Sequence, residues 1–259
     1  MTRERFQPLV RSLVCPLMRP LIRPLSRGLV VAGLALAAPV WADEARSLAL
    51  DSAGAIVDLP EKGELSEAVT SLVESYGVFV GFGSQTRPEL RAGLKLTRAD
   101  LIQWLSGAAD QSMRMAESLG PDQLKRLPLL RGPLCAGAGW QSVQDARQVA
   151  DLDASAAWGE ALANLLDRHD AAIVPANRKA APAVTVNGAQ AQACLASFAP
   201  DLRLPGKPSA PVSRGEFIIA LARALDSHAR QAASLAEEAE QQQEAERRAR
   251  KYPGATPAR

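Results

Sequence analysis

The sequence predicts a mainly α-helical protein with two helix-loop-helix units followed by a C-terminal polar helix. Apolar residues recur at helical spacing in two separate segments, one in each half of the chain. In each half, a Thr or Ser followed three residues later by an acid precedes a further apolar helix, which is the pattern of a capping box. Aromatic residues make up only 4% of the chain, so small helices fit the composition better than a large β-sandwich.

The first 42 residues have the pattern of a secretory signal peptide. Arg19, Arg23 and Arg27 precede a short apolar run over residues 28–38, and Ala42 ends a cleavage site before the polar Asp43. The run is shorter than the roughly 20 apolar residues that span a bilayer. We therefore expect export to the periplasm or cell envelope after cleavage at Ala42. The alternative is an uncleaved membrane anchor.

The charge of the chain excludes one class of partner once the leader is set aside. The remaining 217 of the 259 residues carry 24 basic and 27 acidic groups, so the basic character belongs to the leader. A nucleic-acid-binding protein would carry a strong basic patch. We expect no nucleic-acid partner.

The first unit is predicted over residues 43–120. One helical stripe is formed by Leu65, Ala68, Val69, Leu72, Val73 and Tyr76. Gly77 ends this helix in the manner of a left-handed glycine, and a Gly-containing loop follows over residues 81–93. Thr97 and Asp100 form the capping box of a second helix, whose apolar face begins at Leu101.

The second unit, residues 149–228, repeats this order after a connector over residues 121–148. Its first helix has Trp158, Ala161, Leu162, Leu165 and Leu166 at the spacing of the first unit. Its second helix begins at the capping box of Ser213 and Glu216. A long insert over residues 175–211 separates the two helices, and Asn187-Gly188 is predicted as a turn within it. The tail, residues 229–259, is interpreted as a solvated helix, a weak coiled coil or a partly disordered segment.

Two cysteines, Cys135 and Cys194, remain after the leader. In an oxidising compartment one disulfide is the simplest pairing, and the alternative is two free, buried thiols. His169 and His228 are the only histidines, and neither lies at ligand spacing from a cysteine or the other histidine. We expect no metal and no cofactor.

These units resemble the S-layer homology (SLH) domain, a helix-loop-helix module of bacterial envelope proteins. The first half of the SLH motif matches residues 149–152, Trp158 and Ala161-Leu162, while the first unit keeps Asp58 and Ala68-Val69 but has Leu65 in place of the Trp. The second half matches residues 96–101 and 212–217. Residues 72–77 with Gly81 are most similar to the SLH segment of cyanobacterial outer-membrane porins. In those proteins a barrel follows, whereas we expect none after this helical tail.

The resemblance implies non-covalent binding to peptidoglycan-linked polysaccharide, which is often pyruvylated. It implies that Arg98 and Arg214 bind the anionic sugar at two helix starts, with Thr97 and Ser213 shaping the turns and Trp158 offering an apolar face. Characterised SLH regions often arrange three repeats around an axis. Because only two are legible here, either a partner supplies the third face or the geometry differs.

Other interpretations of the same residues remain open. Thr97 and Ser213 can be caps alone, the two arginines solvated charges, and Trp158 a core residue. The Gly-Tyr-Pro-Asp-Gly-Thr loop of the family is reduced to residues 81–86 in the first unit and is absent from the second. The alternative function is therefore a periplasmic protein-protein adaptor that has lost its ligand and binds envelope proteins or itself through the tail. The sequence has no nucleophile elbow, phosphate-binding glycine loop or metal-ligand cluster, so we do not expect an enzyme.

Overall fold

The two helices of the first unit form where the apolar stripe and the capping box predict them. This computed structural model describes residues 52–251 apart from 79, 85 and 86, and apart from the side chains of 82–84 and 249. Helix α1 spans Glu64–Thr70 and continues as a π-helical turn over Ser71–Ser75. Gly77 then takes the left-handed conformation, with φ of 63°. The predicted signal peptide lies outside the described residues.

A short hairpin and a long helix complete the first unit. Strands β1 (Phe82–Ser84) and β2 (Arg87–Glu89) pair antiparallel inside the segment predicted as a Gly-containing loop. Helix α2 spans Arg98–Ala116 after the Thr97 cap. A 3₁₀ turn at Ala53–Ala55 precedes α1. Most of the described chain is helical, which confirms the predicted class.

The connector contains short elements that are held to the second unit. It includes helix α3 (Pro121–Leu124), 3₁₀ turns at Pro128–Leu130 and Ala146–Gln148, and strand β3 (Trp140–Gln141). Strand β3 pairs antiparallel with β4, Val174–Pro175. The predicted disulfide between Cys135 and Cys194 is present and fixes the connector to the helix over Gly188–Ala196.

The second unit corrects one prediction. Helix α4 spans Ala157–His169 as expected, but the predicted insert contains a further helix, α5, over Gly188–Ala196. Asn187 is not in a turn: its side chain accepts a hydrogen bond from the Gln190 amide, and Gln190 bonds back to the Asn187 amide. Asn is a strong N-cap residue, so the same residue that favours turns begins a helix here.

Helix α6, Arg214–Lys251, joins the predicted last helix and the polar tail in one 38-residue helix. Its first part is buried, with Phe217, Ile218 and Leu221 at 0% exposure. Every described side chain from residue 240 to residue 251 is exposed. Of the three interpretations of the tail, the solvated helix agrees with this arrangement as far as Lys251.

Three segments of the chain form a closed ring of backbone hydrogen bonds. The amide of Leu96 donates to the carbonyl of Val212 at 2.8 Å, Val212 donates to Val186 at 3.1 Å, and Val186 donates to Leu96 at 2.9 Å. The three side chains are buried, at 0% for Leu96 and Val186 and 6% for Val212. Sequence positions far apart are therefore joined at one point of the core.

Each segment of the ring leads into a helix start, and the next bonds run around the ring in the opposite order, from α2 to α5, from α5 to α6 and from α6 to α2. Arg98 donates its amide to Val184 at 2.9 Å, and Arg214 donates its amide to Leu94 at 2.8 Å. Gly188 donates its amide to the carbonyl of Ala210 at 2.9 Å. Helices α2, α5 and α6 are thus related cyclically. The third helix start in this arrangement is at Asn187.

The first helix of each unit packs on the second helix of a cyclic neighbour. Helix α4 packs on α2, and α1 packs on α6. Each of these two packings has a polar contact at the equivalent position. His169 Nε2 lies 2.8 Å from Asp110 Oδ1 between α4 and α2, and the Tyr76 hydroxyl donates to Asp226 Oδ1 at 2.6 Å beside α6. On α5 the segment over residues 200–208 lies along the corresponding face.

Candidate functional site

The start of α2 is capped, and its first amides have acceptors within the chain, since Arg98 and Ala99 donate to the carbonyls of Val184 and Pro182 at 2.9 and 3.0 Å. The Thr97 hydroxyl accepts a hydrogen bond from the Asp100 amide at 3.3 Å, and Asp100 Oδ2 accepts one from the Thr97 amide at 3.0 Å. This reciprocal pair is the predicted capping box. A 19-residue helix presents partial positive charge at this end, which favours anions.

Arg98 occupies the first position of α2 and is half-buried. Its Nη1 donates to the carbonyl of Ala180 at 3.2 Å, whereas its buried Nε has no hydrogen-bond partner among the described residues. Burial lowers the pKa of the Arg98 guanidinium, and the nearby Asp151 carboxylate opposes this shift. Asp151 accepts the amides of Ala180 and Ala181 at 2.6 and 2.8 Å. The guanidinium is therefore desolvated without full compensation.

Arg214 has the same position at the start of α6 but a different environment. Its Nε and Nη2 donate to the two carboxylate oxygens of Asp100 at 2.9 and 3.1 Å. The side chains of Arg214 and Asp100 are only 11% and 4% exposed. This bidentate pair joins the first turns of α6 and α2, so Arg214 has an internal structural role.

The third helix start explains why the two arginines differ. The helix that follows α6 around the ring is α2, and its third residue, Asp100, pairs with Arg214. The helix that follows α2 is α5, and its third residue is the neutral Gln190, so Arg98 finds no carboxylate at the equivalent position. A carboxylate pairs strongly with a guanidinium, whereas an amide supplies no charge. The start of α5 itself has Gly188, where a Cβ would lie 2.9 Å from the carbonyl oxygen of Lys207. Of the three starts, that of α2 presents a half-exposed arginine.

The remaining predicted site residues are structural. Ser213 caps α6: its hydroxyl accepts the Glu216 amide at 3.2 Å, and Glu216 accepts the Ser213 amide at 2.8 Å. The Ser213 amide and hydroxyl both donate to the Glu216 carboxylate, at 2.8 and 2.7 Å, and these two hydrogen bonds lower the pKa of Glu216. Trp158 is 8% exposed and belongs to the main core, so it does not present a face to a sugar ring.

Sequence reasoning missed the capping pair of Asn187 and Gln190 and the loop-anchoring role of Asp58 and Asp151. Asp58 accepts the amides of Leu90 and Arg91, in the same way that Asp151 accepts two amides in the second unit. A signal for the missed helix was available. Residues 184–186 alternate in the manner of residues 94–96, and Asn187 and Gln190 have capping-box spacing.

Other polar groups give no catalytic arrangement in the part of the chain that the structure describes. His228 is fully buried, burial lowers the pKa of its imidazole, and neither ring nitrogen makes a hydrogen bond of normal geometry to a described residue. Within residues 52–251, with the stated gaps, no group of three His, Cys, Asp or Glu side chains is placed to hold a metal ion. None of the described helices is both long and apolar enough to cross a bilayer.

Comparisons with protein-family models, with curated protein sequences and with solved structures found no match to this chain.

Proposed function

We propose that this chain is a non-catalytic protein of the bacterial envelope that binds anionic polysaccharide linked to peptidoglycan. The binding residue is Arg98, at the start of α2, and the ligand group is a carboxylate such as that of a pyruvylated sugar. Export through the leader places the protein in the periplasm or cell envelope.

The state of Arg98 carries this proposal. A half-buried guanidinium that makes no hydrogen bond to a described carboxylate, at the positive end of a 19-residue helix, gains most from a ligand carboxylate. The neighbouring Asp151 compensates the charge in part, but both of its oxygens already accept backbone amides. A ligand carboxylate supplies the countercharge at the exposed part of the guanidinium.

The cyclic arrangement of three helix starts supports the resemblance to SLH domains. Such regions often place three repeats around an axis, and here the ring of Leu96, Val186 and Val212 relates three helices in one chain. Only one start keeps an arginine that is not used internally in a carboxylate pair. We therefore propose one anion site per chain, with avidity arising only when several chains are brought together.

Co-sedimentation with sacculi tests the proposal. The chain from Asp43 retains all described contacts, and it is mixed with peptidoglycan sacculi that carry or lack their attached polysaccharide. We expect pelleting only with the polysaccharide-bearing sacculi, and weaker pelleting as salt is raised, because exposed charge interactions are screened. Arg98→Ala should lower the affinity for these sacculi roughly tenfold, the effect of losing a charged hydrogen-bonded contact.

Two further variants make the test specific. Gln190→Glu keeps the capping box of α5 but offers Arg98 an internal carboxylate, so it should also weaken pelleting without unfolding the chain. Arg168→Ala removes an exposed arginine from α4 and serves as the matched control, with pelleting unchanged. Pelleting that is equal for Arg98→Ala and the parent chain would contradict the assignment of Arg98.

A second candidate function is a protein-protein adaptor that uses the same scaffold. The observation that favours it is the exposed end of α6, where Glu244–Arg248 and Glu246–Arg250 pair only within the helix. In this case pelleting should fail with both kinds of sacculi, and partner binding should depend on residues 240–251.

A further inference from the structure

A groove of about 600 Å³ lies between α5 and the segment over residues 200–208. It lies on the face of α5 that corresponds to the covered faces of α2 and α6. Counted from the capping residue, Gln192 has the position of Ile102 in α2 and Ile218 in α6, which are 2% and 0% exposed. At this face α5 therefore has a loop segment and a groove where α2 and α6 have a packed helix.

The wall of this groove is fixed rather than loose. Gln192 donates Nε2 to the carbonyl of Leu202 at 2.7 Å, and its Oε1 accepts the amide of Leu204 at 2.8 Å. The amide of Ala189 donates to the carbonyl of Pro208 at 2.8 Å. Both ends of the segment are therefore bonded to α5, and the cavity between them is preformed.

The lining of the groove is apolar, with cations at its rim. The apolar lining includes Ala189, Ala193, Ala196, Pro200, Leu204 and Pro208. Arg203 and Lys207 also line it, and no acidic residue is among the described lining residues. Arg203 is anchored to the wall because its Nη1 donates to the carbonyls of Pro200 and Leu202 at 2.5 and 2.9 Å.

We propose that this groove binds a small molecule with an apolar body and one anionic group. The volume is within the range of about 300–1,000 Å³ that is typical of small-molecule sites, and such sites are mostly apolar with a few placed polar groups. The apolar lining selects the body of the ligand, and the two cations select its charge. This site is separate from Arg98 and does not depend on the proposed function.

A pair of fluorescent probes separates the two parts of the proposal. The anionic probe 8-anilinonaphthalene-1-sulfonate has the apolar body and the charge, whereas N-phenyl-1-naphthylamine has the same rings without the sulfonate. Titration of the chain from Asp43 should give saturable binding of the sulfonate with one site per chain. Binding of the neutral probe should be weaker by roughly fivefold or more, which corresponds to the loss of a charge interaction near the surface.

Variants locate the site. Ala193→Trp fills the groove and should reduce sulfonate affinity at least tenfold, whereas Ala245→Trp, the same change on the exposed end of α6, should leave it unchanged. Lys207→Gln should weaken the sulfonate severalfold and leave the neutral probe unaffected, with the exposed Lys179→Gln as its control.

The outcomes are distinct. Equal binding of the two probes, or equal effects of Lys207→Gln and Lys179→Gln, would overturn the proposal that the groove selects an anionic group. Unchanged binding in Ala193→Trp, with a circular dichroism melt like that of the parent chain, would overturn the location. If Ala193→Trp does not fold, the lysine pair still decides, because both residues are exposed. Pelleting with sacculi should be the same for the groove variants and the parent chain.

Discussion

The ion pair between Arg214 and Asp100 joins two helix starts, and both of its charges are almost fully removed from water. Asp100 also accepts the Thr97 amide, so one carboxylate serves the cap of α2 and the contact to α6. Arg98, by contrast, has no such carboxylate partner in the cyclic order and is half-exposed. Two arginines at the same position of a similar capping motif should therefore differ in what they contribute to stability.

We predict that Arg214→Ala destabilises the fold far more than Arg98→Ala. Removing one partner of a buried ion pair leaves an uncompensated charge, which costs about 3–5 kcal/mol. Arg98→Ala should cost about 1 kcal/mol or less, because the side chain is half-exposed and loses one long hydrogen bond. Urea denaturation at neutral pH measures both values.

The double variant Arg214→Ala/Asp100→Asn provides the control, since it removes the buried carboxylate and should recover part of the loss. Equal unfolding free energies for Arg214→Ala and Arg98→Ala would contradict the assignment of a structural role to Arg214.

Local contacts could be predicted from sequence, whereas long-range ones could not. The caps at Thr97 and Ser213 depend on residues three positions away, so the sequence pattern contains the whole interaction. The pairing of Arg214 with Asp100 joins residues 114 positions apart. Nothing in either half-motif indicates that Arg214 forms an internal ion pair and Arg98 does not.

Among the elements, α5 is the helix that the periodicity of apolar residues does not predict. It has nine residues, and most of them are Ala, Gly or Gln, so no wide apolar stripe distinguishes it from a loop. Helices α2 and α4 are longer, and their buried faces contain large residues such as Leu101 and Leu162. The sequence pattern therefore predicts the two longer helices and assigns the short one to the insert over residues 175–211.

A short helix needs tertiary support, because isolated helices of fewer than about 12 residues are marginal in water. For α5 this support includes the disulfide from Cys194 to Cys135. Both cysteines are fully buried, and the Cys135 amide donates to the Ser197 hydroxyl at 3.0 Å, just after the end of the helix. The disulfide therefore fixes α5 to the connector at its C-terminal end.

We predict that Cys135→Ala/Cys194→Ala lowers the unfolding free energy by roughly 4 kcal/mol, because the cross-link closes a loop of 59 residues in the unfolded chain. Urea denaturation of the oxidised parent and the double variant measures the difference. The reduced parent chain is the control for side-chain volume and should match the double variant. If the urea midpoint of the double variant and that of the reduced parent chain both equal that of the oxidised parent, a stabilising role for the disulfide is contradicted.

The molecule as a whole is closed by the ring of Leu96, Val186 and Val212, which no single segment could reveal. No one of the three segments would be stable alone, since each forms one backbone hydrogen bond to each neighbour at these positions. Their combination buries three side chains and sets the order of α2, α5 and α6. The resemblance to SLH domains predicted two units, and the third helix start became visible only through the ring.

The ring and the long α6 helix together predict which part of the C-terminal region the fold needs. Residues 217–225 of α6 enter the main core, and Ala232 and Leu235 pack with Leu119 and Leu127 in a second cluster. Arg126 pairs with Glu238 at 2.6 Å. Beyond these contacts, the described side chains from residue 240 onward are exposed.

We therefore predict opposite results for two truncations of the chain from Asp43. A chain that ends at Ala239 should keep its melting temperature within about 2 °C of the parent, because the lost residues make few stabilising contacts. A chain that ends at Pro211 should lose cooperative melting, because it lacks Val212 of the ring and the buried part of α6. Circular dichroism melts measure both. A large drop for the first truncation would mean that the tail is part of the fold. If it melts as predicted, any loss of partner binding on deleting the tail reports a contact made by the tail itself rather than unfolding.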